Sequence, residues 1–406
     1  MRVAQLSLAY CAAFALIVLC CAAYYRQLWD GYATFSQDIE PQCKAQYCDF
    51  TYYYYPQAQQ IRESDAVVKK YYYSPTFALF LVPLAQLPIE SALSAWTWVQ
   101  ALSLLLLIVA GISLLTRLPR WTHALSLGLT LTSYPILNNL KWGQANVTFM
   151  ALIVLGLALV ERGYHRSAAL AVSLVIASRY YPAMYALAFV ARGRRSALIW
   201  TFVCVGLLLI ALPAWAMGAE HAWSFYTRSA ASIQRAYDTM INNPTSQSLP
   251  STLLRLTHGS NAARGPWMGV AWLLASCNAA AAVWASYKSG EHRTLWAFCF
   301  IALSTPLVVY TSWMHYFVYL PLVQTFLAAQ LATLRGFGRL RIAGFVLAWL
   351  PSVVFSSIFY FEHAPTKEHY AQLGHLLWAN LALLVLAYLL LGLNRRQAAG
   401  ARATAS

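Results

Sequence analysis

Apolar runs recur along this chain at residues 6–25, 196–217, 265–287 and 342–360, each near the roughly 20 residues an α-helix needs to cross hydrocarbon. Runs of that length are spanning helices rather than core helices. The composition agrees: of 406 residues, 60% are hydrophobic and only 10% charged, with a mean hydropathy of +0.52, whereas soluble domains carry about 25% charged residues. A water-soluble fold is thereby excluded. The expectation is an all-α polytopic membrane protein with roughly 10–13 helical membrane segments, some of them short, re-entrant or broken.

The net charge of +15 does not point to nucleic acid, because the basic residues sit between apolar runs instead of forming one face of a soluble module. They are topology signals. Arg117 and Arg120, Arg162 and Arg166, Arg192 with Arg194 and Arg195, Lys288 and Arg293, Arg335 with Arg339 and Arg341, and Arg395 with Arg396 and Arg402 are all placed in the cytoplasm by the positive-inside rule. The acids differ, since six of the thirteen lie between the first apolar run and Pro75. Residues 29–75 are therefore expected to form an extracytoplasmic loop, and 218–264 a second large one. Residues 1–23 are read as a retained first helix and not a signal peptide, because the apolar stretch exceeds a usual signal core. One transmembrane domain over 1–394 and a disordered cytoplasmic tail over 395–406 complete the expected layout, at the inner membrane as a multi-pass protein.

Parity between basic clusters exposes two irregular places. Residues 167–190 must leave and re-enter the same face, which predicts two short helices broken at Arg179-Tyr180-Tyr181-Pro182, where Pro182 removes a helical hydrogen bond. Residues 76–87 are likewise too short for an ordinary crossing. Irregular backbone at membrane depth requires protein or a water-filled cavity around it. With this topology the unusual polar residues gather on the outer side: Asp49, the tyrosine runs 52–55 and 71–73, Lys141 through Asn146, Arg179, residues 242–248, and His315.

Each of these residue types has a chemistry and an ordinary alternative. Asp49 can act as a general base on a hydroxyl, or be a solvated loop carboxylate. Tyr53, Tyr54, Tyr73, Tyr181 and Trp313 offer flat amphipathic surfaces for sugar rings or a lipid chain, although Tyr and Trp also form interfacial belts. Arg179 in an apolar segment costs roughly 2.5–3.5 kcal/mol unless it reaches water or an anion. Phosphate suits its permanently charged, bidentate guanidinium. His315 can hydrogen-bond a phosphate or pass a proton. Cys43 and Cys48 are candidates for a small disulfide in an oxidising compartment, and two cysteines are too few for a Cys-only metal site.

Taken in order, Cys48-Asp49-Phe50 with Tyr53-Tyr54, Tyr73-Ser74-Pro75 with Val82-Pro83-Leu84, Gly143-Gln144-Ala145-Asn146, Arg179-Tyr180-Tyr181-Pro182, residues 243–248 and Trp313-Met314-His315-Tyr316 resemble glycosyltransferase family 87, to about residue 322. Arg179 stands where that family commonly has Lys, and Tyr73-Ser74-Pro75 where many members read Tyr-Pro-Pro. The resemblance implies a GT-C fold and an inverting transfer of a sugar, most readily mannose, from a polyprenyl-phosphate donor to a glycan or glycolipid acceptor outside the cytoplasm. It implies Asp49 as catalytic base, Arg179 and His315 at the donor phosphate, and Tyr53, Tyr54, Tyr73, Gln144, Asn146, Tyr181, Asn243, Gln247 and Trp313 around the substrates. No Asp-x-Asp motif is present, so neither metal nor cofactor is expected; membrane lipid is an expected partner and nucleic acid is not. The competing expectations are a polymerase or ligase of lipid-linked glycans, and a transporter or flippase of lipid-linked sugars.

Overall fold

The computed structural model describes residues 47–191, 193–240, 243, 245–257, 264–288, 292–309, 311–334, 337–363 and 367–403. Among these the chain is helical throughout, with no β-strand. Six helices are long and apolar enough to cross a membrane: Ile89–Leu114, Arg195–Met217, Gly265–Ala285, Met314–Thr333, Gly338–Phe355 and Tyr370–Asn394. Three of them coincide with apolar runs of the sequence; the first run, 6–25, lies outside the described residues. Shorter apolar helices fill the remaining places: Pro75–Ala85, Asn146–Glu161, His165–Ser178, Tyr181–Val190 and Arg293–Val308. The chain is thus an all-α polytopic membrane protein.

The helices are sorted by depth. Met314–Thr333 is buried along most of its length, and Gln324 on it is tied to the neighbouring helix. The Gln324 amide donates to Ser356 Oγ at 3.0 Å, and Trp349 Nε1 donates to the Gln324 carbonyl at 2.8 Å. Interhelical bonds of this kind replace the water that hydrocarbon cannot supply. By contrast, Arg195–Met217 turns Ile199, Phe202 and Ile210 outward, and Gly338–Phe355 does the same with Ile342 and Leu347. Such surfaces are solvated by lipid tails. Ile89–Leu114, Asn146–Glu161 and His165–Ser178 pack side by side. The latter two approach closely at Gly156, where a Cβ would lie 2.7 Å from Val172 Cγ2.

The expected interruption is present. The helix His165–Ser178 stops, Arg179 is extended at φ −151°, ψ 133°, and a 3-10 turn Tyr181–Ala186 follows with Pro182 in its first turn. The helix Pro75–Ala85 is short, as parity required, and is capped by Ser74 with Pro75 at its start. The described part of residues 218–264 contains two helices, Ala219–Met240 and Leu249–Leu256, and residues 246–252 in it are buried. The last helix runs on to Ala403, through most of the stretch expected as a tail.

Candidate active site

Two helix ends create the site. The terminal carbonyls of His165–Ser178 lack partners within their own helix; Ser74 supplies them, its amide donating to Ser178 O at 3.1 Å and its hydroxyl donating to Ala177 O. That splice lays Tyr73 beside Arg179. The second end is the turn after Tyr134–Trp142, where Gly143 adopts φ +66° and a Cβ would meet Tyr47 Cβ at 2.7 Å. Glycine is the residue that fits such a backbone. Trp96 Nε1 donates to Gly143 O at 3.0 Å, Gln100 Nε2 to Gln144 O at 2.7 Å, and Asn139 Oδ1 accepts from Val147 N at 3.2 Å. Gln144 and Asn146 are thereby held in place.

A cavity of about 180 Å³ opens between these ends. Asp49 lines it, placed by the adjoining Phe50, whose ring stacks on Trp96 at 4.9 Å. Cys48, next in the chain, is buried and half of a disulfide; Cys43 lies outside the described residues, so the pairing of the two stays a proposal. Tyr53, Tyr54, Tyr73, Gln144, Arg179, Asn243, Trp313 and His315 also line the cavity. Six separate stretches of the sequence therefore meet at one place.

Inside it the polar groups form one network. Tyr54 and Tyr73 share a hydroxyl contact of 2.6 Å, and both donate to Gln144 Oε1, at 2.8 and 2.9 Å. Burial pushes the Tyr54 phenol well above its usual range, with Tyr73 and Asp49 adding to the rise and Arg179 opposing it. Both tyrosines thus act as neutral hydrogen-bonding groups. Arg179 is 7% exposed. Its Nη1 donates to Tyr73 OH at 3.1 Å and to Asn146 Oδ1 at 3.4 Å, and its Nη2 donates to Tyr316 OH. The guanidinium also lies 4.5 and 4.6 Å from the ring centroids of Tyr73 and Tyr316, a cation–π sandwich. All of these partners are neutral, and among the described residues no carboxylate pairs with Arg179. A buried cation whose hydrogen-bond partners among the described residues are all neutral is a ready anion site.

His315 Nδ1 lies 3.2 Å from Asn138 Oδ1, while its Nε2 is buried with no hydrogen-bond partner among the described residues, in a ring that lines the cavity. The Asn138 amide is oriented in turn by donation to Tyr134 OH at 3.3 Å. With Nδ1–H directed at Asn138, Nε2 carries a lone pair in the neutral ring and a donor once protonated.

Three expected site residues lie off the cavity wall. Asn146 touches it through Arg179, and Tyr181 lies under the guanidinium at 5.7 Å. Gln247 faces elsewhere, its amide donating to Ala371 O at 2.8 Å and its backbone N–H to Ser312 O at 2.7 Å. It joins the 243–248 loop to the 311–315 segment. Lys70, Tyr72, Tyr134, Asn138, Trp142, Thr245 and Met314 line the cavity without having been singled out as site residues. For Lys70 the sequence carries no signal, since its φ of +68° is a tertiary feature. Among the described residues no group of three His, Cys, Asp or Glu gathers to hold a metal.

A membrane-embedded helical protein with a buried arginine, a carboxylate and a histidine around one aromatic cavity is the class this geometry defines. The profile of glycosyltransferase family 87 matches residues 71–312, more than half of the chain, and the protein belongs to that family. The match begins after Asp49 and ends before His315, yet the fold brings both to the matched residues Tyr73, Gln144 and Arg179. A protein of Mycolicibacterium smegmatis is 28% identical over 309 residues, covering 69% of this chain and 67% of its own length. One of Mycobacterium tuberculosis is 27% identical over 270 residues, covering 61% and 59%. Both are named polyprenol-phosphate-mannose-dependent alpha-(1-2)-phosphatidylinositol mannoside mannosyltransferase. The chain thus spans about three fifths to two thirds of the curated relatives it matches. No solved structure matches it.

Proposed function

We propose that this protein is an inverting mannosyltransferase that moves the sugar of a polyprenyl-phosphate donor to a glycolipid or glycan hydroxyl on the extracytoplasmic face of a bacterial inner membrane. The observation that carries the reading is the convergence of Asp49, Arg179 and His315 on one cavity, with Arg179 buried and paired by no carboxylate among the described residues. The names of the two mycobacterial relatives support a polyprenol-phosphate-mannose donor and a lipid-borne acceptor.

In this mechanism the Asp49 carboxylate takes the proton of the acceptor hydroxyl as its oxygen attacks the anomeric carbon. The bond from that carbon to the phosphate oxygen breaks, its electron pair stays on the phosphate, and the configuration inverts. Charge therefore grows on the departing lipid phosphate, where Arg179 is fixed in advance by Tyr73, Asn146 and Tyr316. His315, whose ring lines the cavity, donates to the same phosphate through Nε2 when protonated and turned towards it. Tyr53, Tyr54, Tyr73 and Trp313 provide flat surfaces for the sugar.

Incubating the purified protein in detergent with synthetic polyprenyl-phosphate mannose and mannosylated glycolipid acceptors tests the proposal. The expected product carries one added α-mannose and releases polyprenyl phosphate. Hydrolysis without transfer, or movement of intact donor across a vesicle membrane with no new linkage, would overturn it.

A further inference from the structure

One turn of the cavity wall is clamped by an arginine that does not itself line the cavity. Asn243 and Thr245, both half-buried, border the candidate active site. Thr245 donates twice to Asn243 Oδ1, from its backbone N–H at 2.9 Å and its hydroxyl at 2.6 Å. A backbone N–H can donate only to the oxygen of a carboxamide, so the orientation of this one is fixed and its oxygen is occupied within the turn. What the Asn243 side chain has left for a ligand is the pair of N–H groups on Nδ2. The Asn243 carbonyl closes the turn by accepting from Ser246 N at 3.0 Å.

Arg255, in the last turn of Leu249–Leu256, reaches back to both ends of that turn. Its Nη1 donates to Asn243 O at 3.0 Å and its Nη2 to Ser246 O at 2.8 Å. Thr252, three residues earlier on the same helix face, accepts from Nη2 at 3.2 Å, and Nε donates to Gln372 O at 3.3 Å. The guanidinium is thereby anchored on a separate segment, and its planar fork sets the spacing of the two turn carbonyls. Gln247, next in the chain, donates its backbone N–H to Ser312 O at 2.7 Å, immediately before the cavity-lining Trp313. An amide donor and a flat aromatic surface, the groups that suit a pyranose ring, are thus carried on connected segments.

We propose that Arg255 is a positioning residue for sugar recognition: by fixing both ends of the 243–246 turn it holds Asn243 Nδ2 where it donates to a pyranose hydroxyl of the donor or the acceptor. The inference rests on the sugar-transfer reading above. A contact of this kind acts equally in the ground and transition states, so it shows in KM and not in kcat. Loss of folded protein does the reverse, lowering the apparent kcat and leaving KM alone.

The test measures transfer by the purified full-length protein at varied polyprenyl-phosphate mannose and, separately, at varied mannosylated glycolipid. Asn243→Ala and Arg255→Ala should each raise one of the two KM values about tenfold, with kcat within about threefold, and the substrate affected identifies which sugar Asn243 holds. Because Arg255 acts through Asn243, the double variant should exceed the larger single effect by no more than about threefold. Full multiplication of the two effects, or a fall in kcat with both KM values unchanged, overturns the proposal. If Arg255→Ala does not fold, Arg255→Lys carries the same test with an expected rise of about threefold, since one ammonium cannot span both carbonyls. Hydrogen exchange reports the clamp without transfer: amides of the 245–248 stretch should exchange about tenfold faster in the Arg255 variant, and unchanged exchange overturns the clamp. An unmodified protein that transfers no sugar overturns the proposed function, and the exchange result then still decides whether Arg255 holds the turn.

Discussion

Replacing Arg179 with Gln removes the positive charge from the cavity and leaves a neutral amide. A guanidinium has five N–H donors, and three hydrogen bonds, to Tyr73, Asn146 and Tyr316, are already made inside the protein. Two N–H groups remain for a donor phosphate. Each charge-assisted bond is worth about 1.5–3 kcal/mol, so losing both costs about 3 kcal/mol at the lower end, or more than about 100-fold in kcat/KM for the donor. Both parameters should suffer, because the contact exists in the ground state and strengthens as the phosphate gains charge. Arg179→Lys should fall between, since an ammonium retains the charge and loses the planar fork. Tyr73 OH keeps Tyr54 and Gln144 as partners in either variant, so melting curves should remain cooperative. The assay measures initial rates at varied polyprenyl-phosphate mannose and saturating acceptor. Arg179→Gln with kcat/KM within about threefold of the unmodified protein would refute the phosphate assignment.

Further expectations address topology, the turn and the loop clasp. A cysteine replacing Glu63 should react with an impermeant maleimide on intact cells and one replacing Arg195 only after permeabilisation; the reverse pattern would place the cavity in the cytoplasm. Gly143→Ala forces a Cβ into a left-handed residue and against Tyr47, which should destabilise the fold by at least about 1–2 kcal/mol; an unshifted melting temperature would contradict the turn. Asp65 accepts from Ser224 Oγ at 2.5 Å and pairs with Arg228 at 3.0 Å, and these contacts, Ser224 foremost, hold its carboxyl below the ordinary range. Its folded value is depressed, so its stabilisation is present above the unfolded value of about 3.9 and is lost as pH falls through the folded one. Asp65→Asn should therefore flatten the acid limb of the melting-temperature profile below about pH 4, and an unchanged limb would show that the clasp contributes nothing.

How much was legible depended on the physical range of each signal. The break at Arg179 could be read because a charge inside an apolar run and a nearby Pro182 are both local violations of helix rules. Asp49, Tyr73 and Gln144 could be read one by one as unusual polar residues on the outer side, but only the family resemblance joined them in one site, since nothing local says that residues 95 positions apart share a wall. Tyr316 was visible only as the last residue of the Trp313-Met314-His315-Tyr316 motif; its role as an Arg179 partner arises from the meeting of two segments 137 residues apart. Lys70 and Asn138 had no sequence signal for the same reason. Gln247 illustrates the opposite case: a polar residue in a motif-bearing loop turned away to satisfy a backbone carbonyl. The helix Ala219–Met240 was read as loop because its mixed polar and apolar composition is that of a surface helix and not of a spanning one.

The most direct measurement is the transfer rate of Asp49→Asn, whose amide preserves the shape of the carboxylate and cannot take the acceptor's proton. Single-turnover transfer from radiolabelled polyprenyl-phosphate mannose should fall about 100- to 10,000-fold, with donor binding by the same variant close to that of the unmodified protein. Transfer near the unmodified rate would contradict the base assignment on which the proposed mechanism rests.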